Sequence, residues 1–165
     1  MPKQLLIVRH AKSDWNDYNL RDFDRPLNER GSRNAPEMAM RLVKSHLVPQ
    51  KLISSPAVRA LSTAESFAEA FNIEKNKIKQ LREIYEAHTS TLLEIINGLN
   101  NRYDYVALFG HNPGVTNLVV KLTDADIYDI PTCGIVLIEF PFDDWGLISS
   151  GTGKVNLYDF PKNKP

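Results

Sequence analysis

The run Leu5-Leu6-Ile7-Val8 contains no polar residue, so a strand built from it must be covered on both faces. Tyr105-Val106-Ala107-Leu108-Phe109 has the same character. Covering such strands takes helices on each side of a largely parallel sheet, and amphipathic stretches alternate with the apolar runs as that arrangement requires. After Gly31-Ser32, Met38, Leu42 and Val43 are spaced to share one helix face, and that helix is expected to end near residues 46–49. Lys51-Leu52-Ile53-Ser54 reads as a short strand, and Ser55-Pro56 turns into a helix that carries Leu61, Ala64, Phe67, Ala68 and Phe71 inward. A shorter strand falls at 78–81. Thr89-Ser90 caps a helix running to about Asn97, closed by Gly98, and residues 115–122 form the next helix. The end of the chain differs: 135–140, 147–149 and 154–160 read as consecutive strands, with turns at Asp143-Asp144 and Gly151-Thr152-Gly153. The expected fold is a three-layer α/β/α sandwich in one domain, residues 1–165, with a mostly parallel central sheet and antiparallel C-terminal strands.

Composition narrows the function. Lys+Arg and Asp+Glu both number 20, which leaves no broad basic field for nonspecific nucleic-acid binding, so any anion site is local. The single cysteine, Cys133, excludes an internal disulfide framework, and residues 1–8 are too short for a signal peptide or membrane span. A cytoplasmic protein without nucleic-acid or membrane partners is expected.

Polar clusters stand directly after three of the strands, where open α/β sheets bind ligands. They are Arg9-His10-Ala11-Lys12-Ser13, Ser54-Ser55-Pro56 followed by Arg59-Ala60, and Gly110-His111-Asn112-Pro113-Gly114. A neutral imidazole can attack phosphorus, and a guanidinium fork fits two oxygens of a phosphate. Arg59 would sit in the first turn of its helix, where the macrodipole disfavours a cation but favours a bound anion. Any of these residues alone is more often an ordinary polar or ion-pairing side chain; it is their common position that points to one phosphoryl site.

These motifs, with Asp14-Trp15, Thr63-Ala64-Glu65 and the segment Asp24-Arg25-Pro26-Leu27 followed by Gly31, resemble the histidine phosphatase superfamily. Within its phosphoglycerate mutase-like branch the chain looks most like the small SixA-type phosphohistidine phosphatases. Ala11 stands where most of the superfamily has glycine, as in SixA-like members. The resemblance implies a phosphoglycerate mutase-like fold and a two-step, cofactor-free and metal-independent phosphoryl transfer. His10 attacks phosphorus and becomes a phosphohistidine that water hydrolyses, while Arg9, Arg59 and His111 cradle the phosphoryl oxygens. It also points to Glu83 in Leu81-Arg82-Glu83-Ile84 as proton donor, with Glu86 close by and the choice open, since SixA-like members often lack an equivalent. Asn16 falls where relatives place a polar phosphate contact, and Ser13 is a weaker candidate; either could instead cap its loop.

Other sites fail on spacing. Cys133 is followed by Gly134-Ile135-Val136-Leu137-Ile138-Glu139, without the arginine a cysteine phosphatase loop needs, and reads as a structural thiol. Ser150-Gly151-Thr152-Gly153-Lys154 lacks both the earlier glycine and the following Ser or Thr of a nucleotide-binding loop. No histidine or cysteine pair has zinc spacing. His46 and His88 have no motif around them and read as surface or capping residues.

Little chain separates Glu86 from the helix starting near Thr89, which leaves little for the helical lid of sugar-phosphate relatives. An open pocket suits a phosphorylated side chain on a protein, and a phosphohistidine-bearing signalling domain is the leading substrate class. A small-molecule phosphomonoesterase on the same scaffold is the competing enzyme. A weakly active or inactive phospho-ligand binding module is the third reading, although such a module would have no use for a nucleophile.

Overall fold

The computed structural model describes residues 1–163. Its sheet holds six strands in the order β3-β2-β4-β1-β5-β6: β1 (Gln4–Arg9), β2 (Lys51–Ser54), β3 (Lys79–Gln80), β4 (Tyr105–Gly110), β5 (Ile135–Glu139) and β6 (Lys154–Asp159). Pairing is parallel for β1–β4, β2–β4 and β2–β3, and antiparallel for β1–β5 and β5–β6. The helices are α1 (Glu29–Lys44), α2 (Val58–Phe71), α3 (Thr89–Asn97) and α4 (Gly114–Leu122). Leu6, Val8, Ala107 and Phe109 pack with α1 and α2 residues such as Met38 and Phe67 on one face of the sheet. Leu5, Ile7, Val106 and Leu108 pack with Leu92, Ile96, Leu118 and Val119 of α3 and α4 on the other. Continuous apolar runs in β1 and β4 therefore mean what their composition demanded, a sheet buried from both sides.

Three local expectations change. The stretch 147–149 is not a strand: Trp145–Leu147 form a 3₁₀ turn with Trp145 and Ile148 buried against α3. Its backbone is satisfied without a ladder, because Asn97 Nδ2 donates to the carbonyls of Trp145 (2.8 Å) and Ile148 (2.9 Å). Helix α3 starts after His88, whose side chain makes no cap bond, so Thr89 lies inside the helix rather than capping it. Helix α1 begins before Gly31, capped by Asn28, whose Oδ1 accepts from the Gly31 N–H at 2.8 Å.

Gly31 is a contact point and not a boundary. A methyl group on it would overlap the Lys12 carbonyl oxygen, and the same Lys12 carbonyl accepts from the Asn28 N–H at 3.0 Å. Helix α1 thus presses directly on the loop that follows β1, and the fit needs a residue without a side chain. Gly31→Ala is expected to destabilise the fold by about 2 kcal/mol through overpacking against backbone. Urea denaturation checks this, and an unchanged midpoint would show that the contact is not constraining.

Candidate active site

Because β2, β4 and β1 are neighbours in the sheet, their carboxyl ends deliver three chain segments to one edge. Arg9 pairs with Gly110 in register, the His10 N–H donates to the Gly110 carbonyl (3.1 Å), and the Ser55 N–H donates to the Phe109 carbonyl (3.1 Å). From this edge His10 and His111 bring their rings to 5.2 Å between centroids. Arg59 enters from the first turn of α2. His10 and His111 are each 8% exposed and Arg59 6%, so the cluster is buried.

His10 Nδ1 lies 2.7 Å from the Ala11 carbonyl oxygen, which can only accept, so Nδ1 carries the proton and Nε2 keeps its lone pair. This names the partner that sequence could not. Burial, opposed by that bond and reinforced by the charges of Arg59, Arg9 and Arg25, pushes the His10 pKa down to about 4. His111 shares Nε2 with Ser55 Oγ at 2.8 Å, while its Nδ1 is buried without a protein partner. Burial, then His10 and Arg59, bring His111 down to about 3. Both imidazoles are neutral at ordinary pH.

The arginines are held differently. Arg9 Nη1 donates to the Ile130 carbonyl at 2.7 Å, its Nε is buried without a protein partner, and burial lowers its pKa. Arg59 donates through Nη1 to the Asp22 carbonyl (2.7 Å) and through Nη2 to Asp22 Oδ2 (2.9 Å). Arg25 joins the same carboxylate at Oδ1 (2.7 Å), reaches Ser13 Oγ (2.9 Å) and stacks on Trp15 at 3.5 Å from the ring centroid. Tyr85 donates its hydroxyl to Asp22 Oδ2 (2.6 Å) and sets its ring edge-on to His111.

A pocket of about 430 Å³ opens beside the cluster, lined among others by Asp22, Arg59, Glu86, His111 and Asn112, while His10 and Arg9 are outside its lining and His10 lies against His111. Glu86 lines it; Glu83 does not. Glu83 is exposed on the far side of its 3₁₀ turn, lining a separate groove with Lys51, Lys79 and Glu94. One turn of chain separates the two glutamates, and Glu86, at φ 54°, is the one that shares the pocket with His111. Asn16 is likewise absent from the pocket. It is exposed, its N–H donates to Asp14 Oδ1 (2.8 Å), and it borders another cleft with Asn28 and Arg33. Ser13 is engaged with Arg25. Cys133 is fully buried, with a thiol pushed up to about 12 by burial, and its N–H donates to the carbonyls of Arg9 and His10. It braces the strand end as a structural residue.

Sequence reasoning missed Asp22 and Tyr85, and it had Ser55 within its second cluster without the bond to His111. Arg25 was visible only within a matching segment. Asp22 and Arg25 sit three residues apart on one short turn, an acid–base spacing frequent on solvated surfaces, so nothing in the pattern marks it as part of a site.

Residues 5–104 match the family described as histidine phosphatase superfamily (branch 1). Phosphoserine phosphatase 1 of Hydrogenobacter thermophilus is 37% identical over 92 residues, covering 54% of this chain and 43% of that protein. The crystal structure of a candidate phosphohistidine phosphatase, SixA of Agrobacterium tumefaciens, superposes with a TM-score of 0.83 at 27% identity, over 98% of this chain and 99% of the other. A protein histidine phosphatase SixA complexed with tungstate gives a TM-score of 0.82 at 23% identity over 97% and 98%, a likeness of fold. With the α/β sheet of the fold and the family match over most of its length, the chain belongs to the histidine phosphatase superfamily, and within it resembles the SixA proteins.

Proposed function

We propose that this protein is a metal-independent phosphatase that hydrolyses phosphohistidine on a protein through a covalent intermediate at His10. The observation that carries the reading is His10 itself: a buried neutral imidazole whose Nδ1 proton is tied to a backbone carbonyl, leaving the Nε2 lone pair beside Arg59 and His111. In the first step Nε2 attacks phosphorus as the bond to the leaving nitrogen breaks, and that nitrogen takes up a proton. In the second, water attacks the phosphohistidine, releasing inorganic phosphate and restoring His10. Arg59 and His111, which both line the pocket, supply preorganised donors for the phosphoryl oxygens, and Arg9 adds its charge beside His10. An imidazole leaving group departs readily once protonated, so the demand on an acid is small; Glu86, lining the pocket, is the carboxyl group within it that can serve.

Support for a protein substrate comes from the rim. Only Ala87 and His88 separate Glu86 from α3, so no segment is inserted at that point of the rim. Trp15 (64% exposed) stacks on Arg25, which binds Asp22 at the pocket, and Tyr128 (99%) stands beside Asp129, the partner of Asn112. Exposed aromatic rings flanking an open pocket suit a protein surface better than a small metabolite. The second reading, a small-molecule phosphomonoesterase, is favoured by the likeness to phosphoserine phosphatase 1. Comparing kcat/KM on a phosphohistidine-bearing domain with that on phosphoserine separates them, and preference for phosphoserine would overturn the first.

His10→Ala is expected to lower kcat on a generic aryl phosphate by at least about 10³-fold and to abolish an acid-labile phosphoenzyme. Equal activity in variant and wild type would sink the covalent mechanism.

The depressed histidines also predict a pH dependence of stability. Folded His10 and His111 refuse protons that the unfolded chain accepts below its ordinary imidazole pKa of about 6.5. Their contribution is therefore fully present above that value and is lost as pH falls toward 4 and then 3. Urea denaturation between pH 7 and 4 should show a fall of a few kcal/mol, on the order of several pKa units of linkage, that the double variant His10→Asn, His111→Asn largely lacks. Identical pH slopes in the two proteins would overturn it.

A further inference from the structure

Asp22 is more heavily engaged than a rim residue needs to be, and the chemistry above leaves it without a task. Its carboxylate accepts from Arg59, Arg25 and Tyr85, and its carbonyl accepts from Arg59 again, while the side chain remains 45% exposed at the pocket mouth. A carboxylate on a phosphate-binding guanidinium subtracts from the positive charge offered to the substrate. A site built only for phosphate affinity would leave it out. Arg59 gives Asp22 two of its N–H groups, and its remaining ones are left for a phosphoryl oxygen, so phosphate and carboxylate sit on one guanidinium.

We propose that Asp22 is the charge selector of the pocket, favouring phosphoryl compounds whose leaving side is cationic or neutral, such as a protonated phosphoryl-imidazole, and disfavouring phosphate esters with a second anionic group beside the ester. This rests on reading the pocket as a phosphoryl-transfer site. A leaving group attached to phosphorus at Arg59 must emerge through a pocket whose lining includes the Asp22 carboxylate. An imidazolium meets opposite charge there, and a substrate carboxylate meets like charge. Asp22 is also held in its ionised form: burial would raise its pKa, but bonds from Tyr85 and Arg59 and the charges of Arg59 and Arg25 hold it at about 2. It acts as a fixed negative charge and not as a proton donor. Since its position is set by Arg25 on its own turn and by Arg59 and Tyr85 from two distant segments, the charge is preorganised before substrate arrives.

The test is a series of aryl phosphates with matched leaving-group pKa whose ring carries an aminomethyl, a neutral or a carboxyl substituent. The wild-type ratio of kcat/KM, cationic over anionic, is expected to fall about tenfold in Asp22→Asn and in Asp22→Ser, consistent with one unit charge at a screened, half-exposed distance. Tyr85→Phe removes a bond from the carboxylate but keeps its charge, and should keep the ratio. Because the ratio is taken within each variant, partial loss of folded enzyme or of Arg59 placement cancels. The same groups on non-hydrolysable arylphosphonates, read by calorimetry, give the ratio from dissociation constants without turnover. An Asp22→Asn ratio within twofold of wild type in that titration would overturn the proposal. Failure to hydrolyse any phosphohistidine protein would instead overturn the protein-substrate reading, and it would leave this ratio measurable.

Discussion

Taking guanidinium groups out of water beside two imidazoles carries an electrostatic cost that sets the terms for everything around the pocket. The fold meets it in two ways. The imidazoles stay neutral, since protonating either would add a charge to a buried site already holding Arg9, Arg25 and Arg59. The arginines are given oxygens, the Ile130 carbonyl for Arg9 and the Asp22 carboxylate shared by Arg25 and Arg59. What lowers the cost also prepares the chemistry. A histidine kept neutral by its surroundings is a histidine with a lone pair to give, and the bond from Nδ1 to the Ala11 carbonyl decides which nitrogen gives it.

The positions of these groups follow from the sheet. A strand end is stiff because its ladder fixes both neighbours, and β1 lies between β4 and β5. His10 hangs one residue beyond that ladder, tied to Gly110 on one side, while the Cys133 N–H meets the Arg9 and His10 carbonyls on the other. Helix α1 closes the next residues through the Gly31–Lys12 approach. The residue proposed as nucleophile is therefore braced by backbone on several sides, with no long side chain needed to aim it.

How much of this could be read from the chain depends on the range of the interaction. Both-face burial is a local property of composition, so residues 5–8 and 105–109 declared their strands, and the motifs that end them declared the edge where the histidines and Arg59 gather. The strand reading of 147–149 failed because a short apolar run looks the same whether a ladder or the Asn97 amide satisfies its backbone. Glu83 and Glu86 could not be ranked, since a short turn decides which faces the pocket, and its φ of 54° at a glutamate has no sequence signature. Asp22 was illegible for a further reason: its partners Arg59 and Tyr85 lie 37 and 63 residues away, and no periodicity connects them. Asn16 shows the opposite error, a residue placed by likeness of position whose loop carries it into another cleft.

The carboxylate on Arg59 also bears on turnover. The oxygens of a phosphoryl group carry much of their charge before, during and after transfer, so a cradle of uncompensated cations would hold substrate, transition state and released phosphate alike. Binding of that uniform kind does not accelerate the chemical step. Under the function proposed for this pocket, Asp22 offsets part of Arg59's charge at all stages, while on the leaving side it favours the protonated ring that departs as neutral imidazole when the bond to phosphorus breaks. Affinity for bare phosphate is given up, and discrimination on the leaving side is what remains. That balance suits an open pocket, where little of the substrate beyond the phosphoryl group and its first attached ring is enclosed, and where charge at the mouth must do what a lid does in a deeper site.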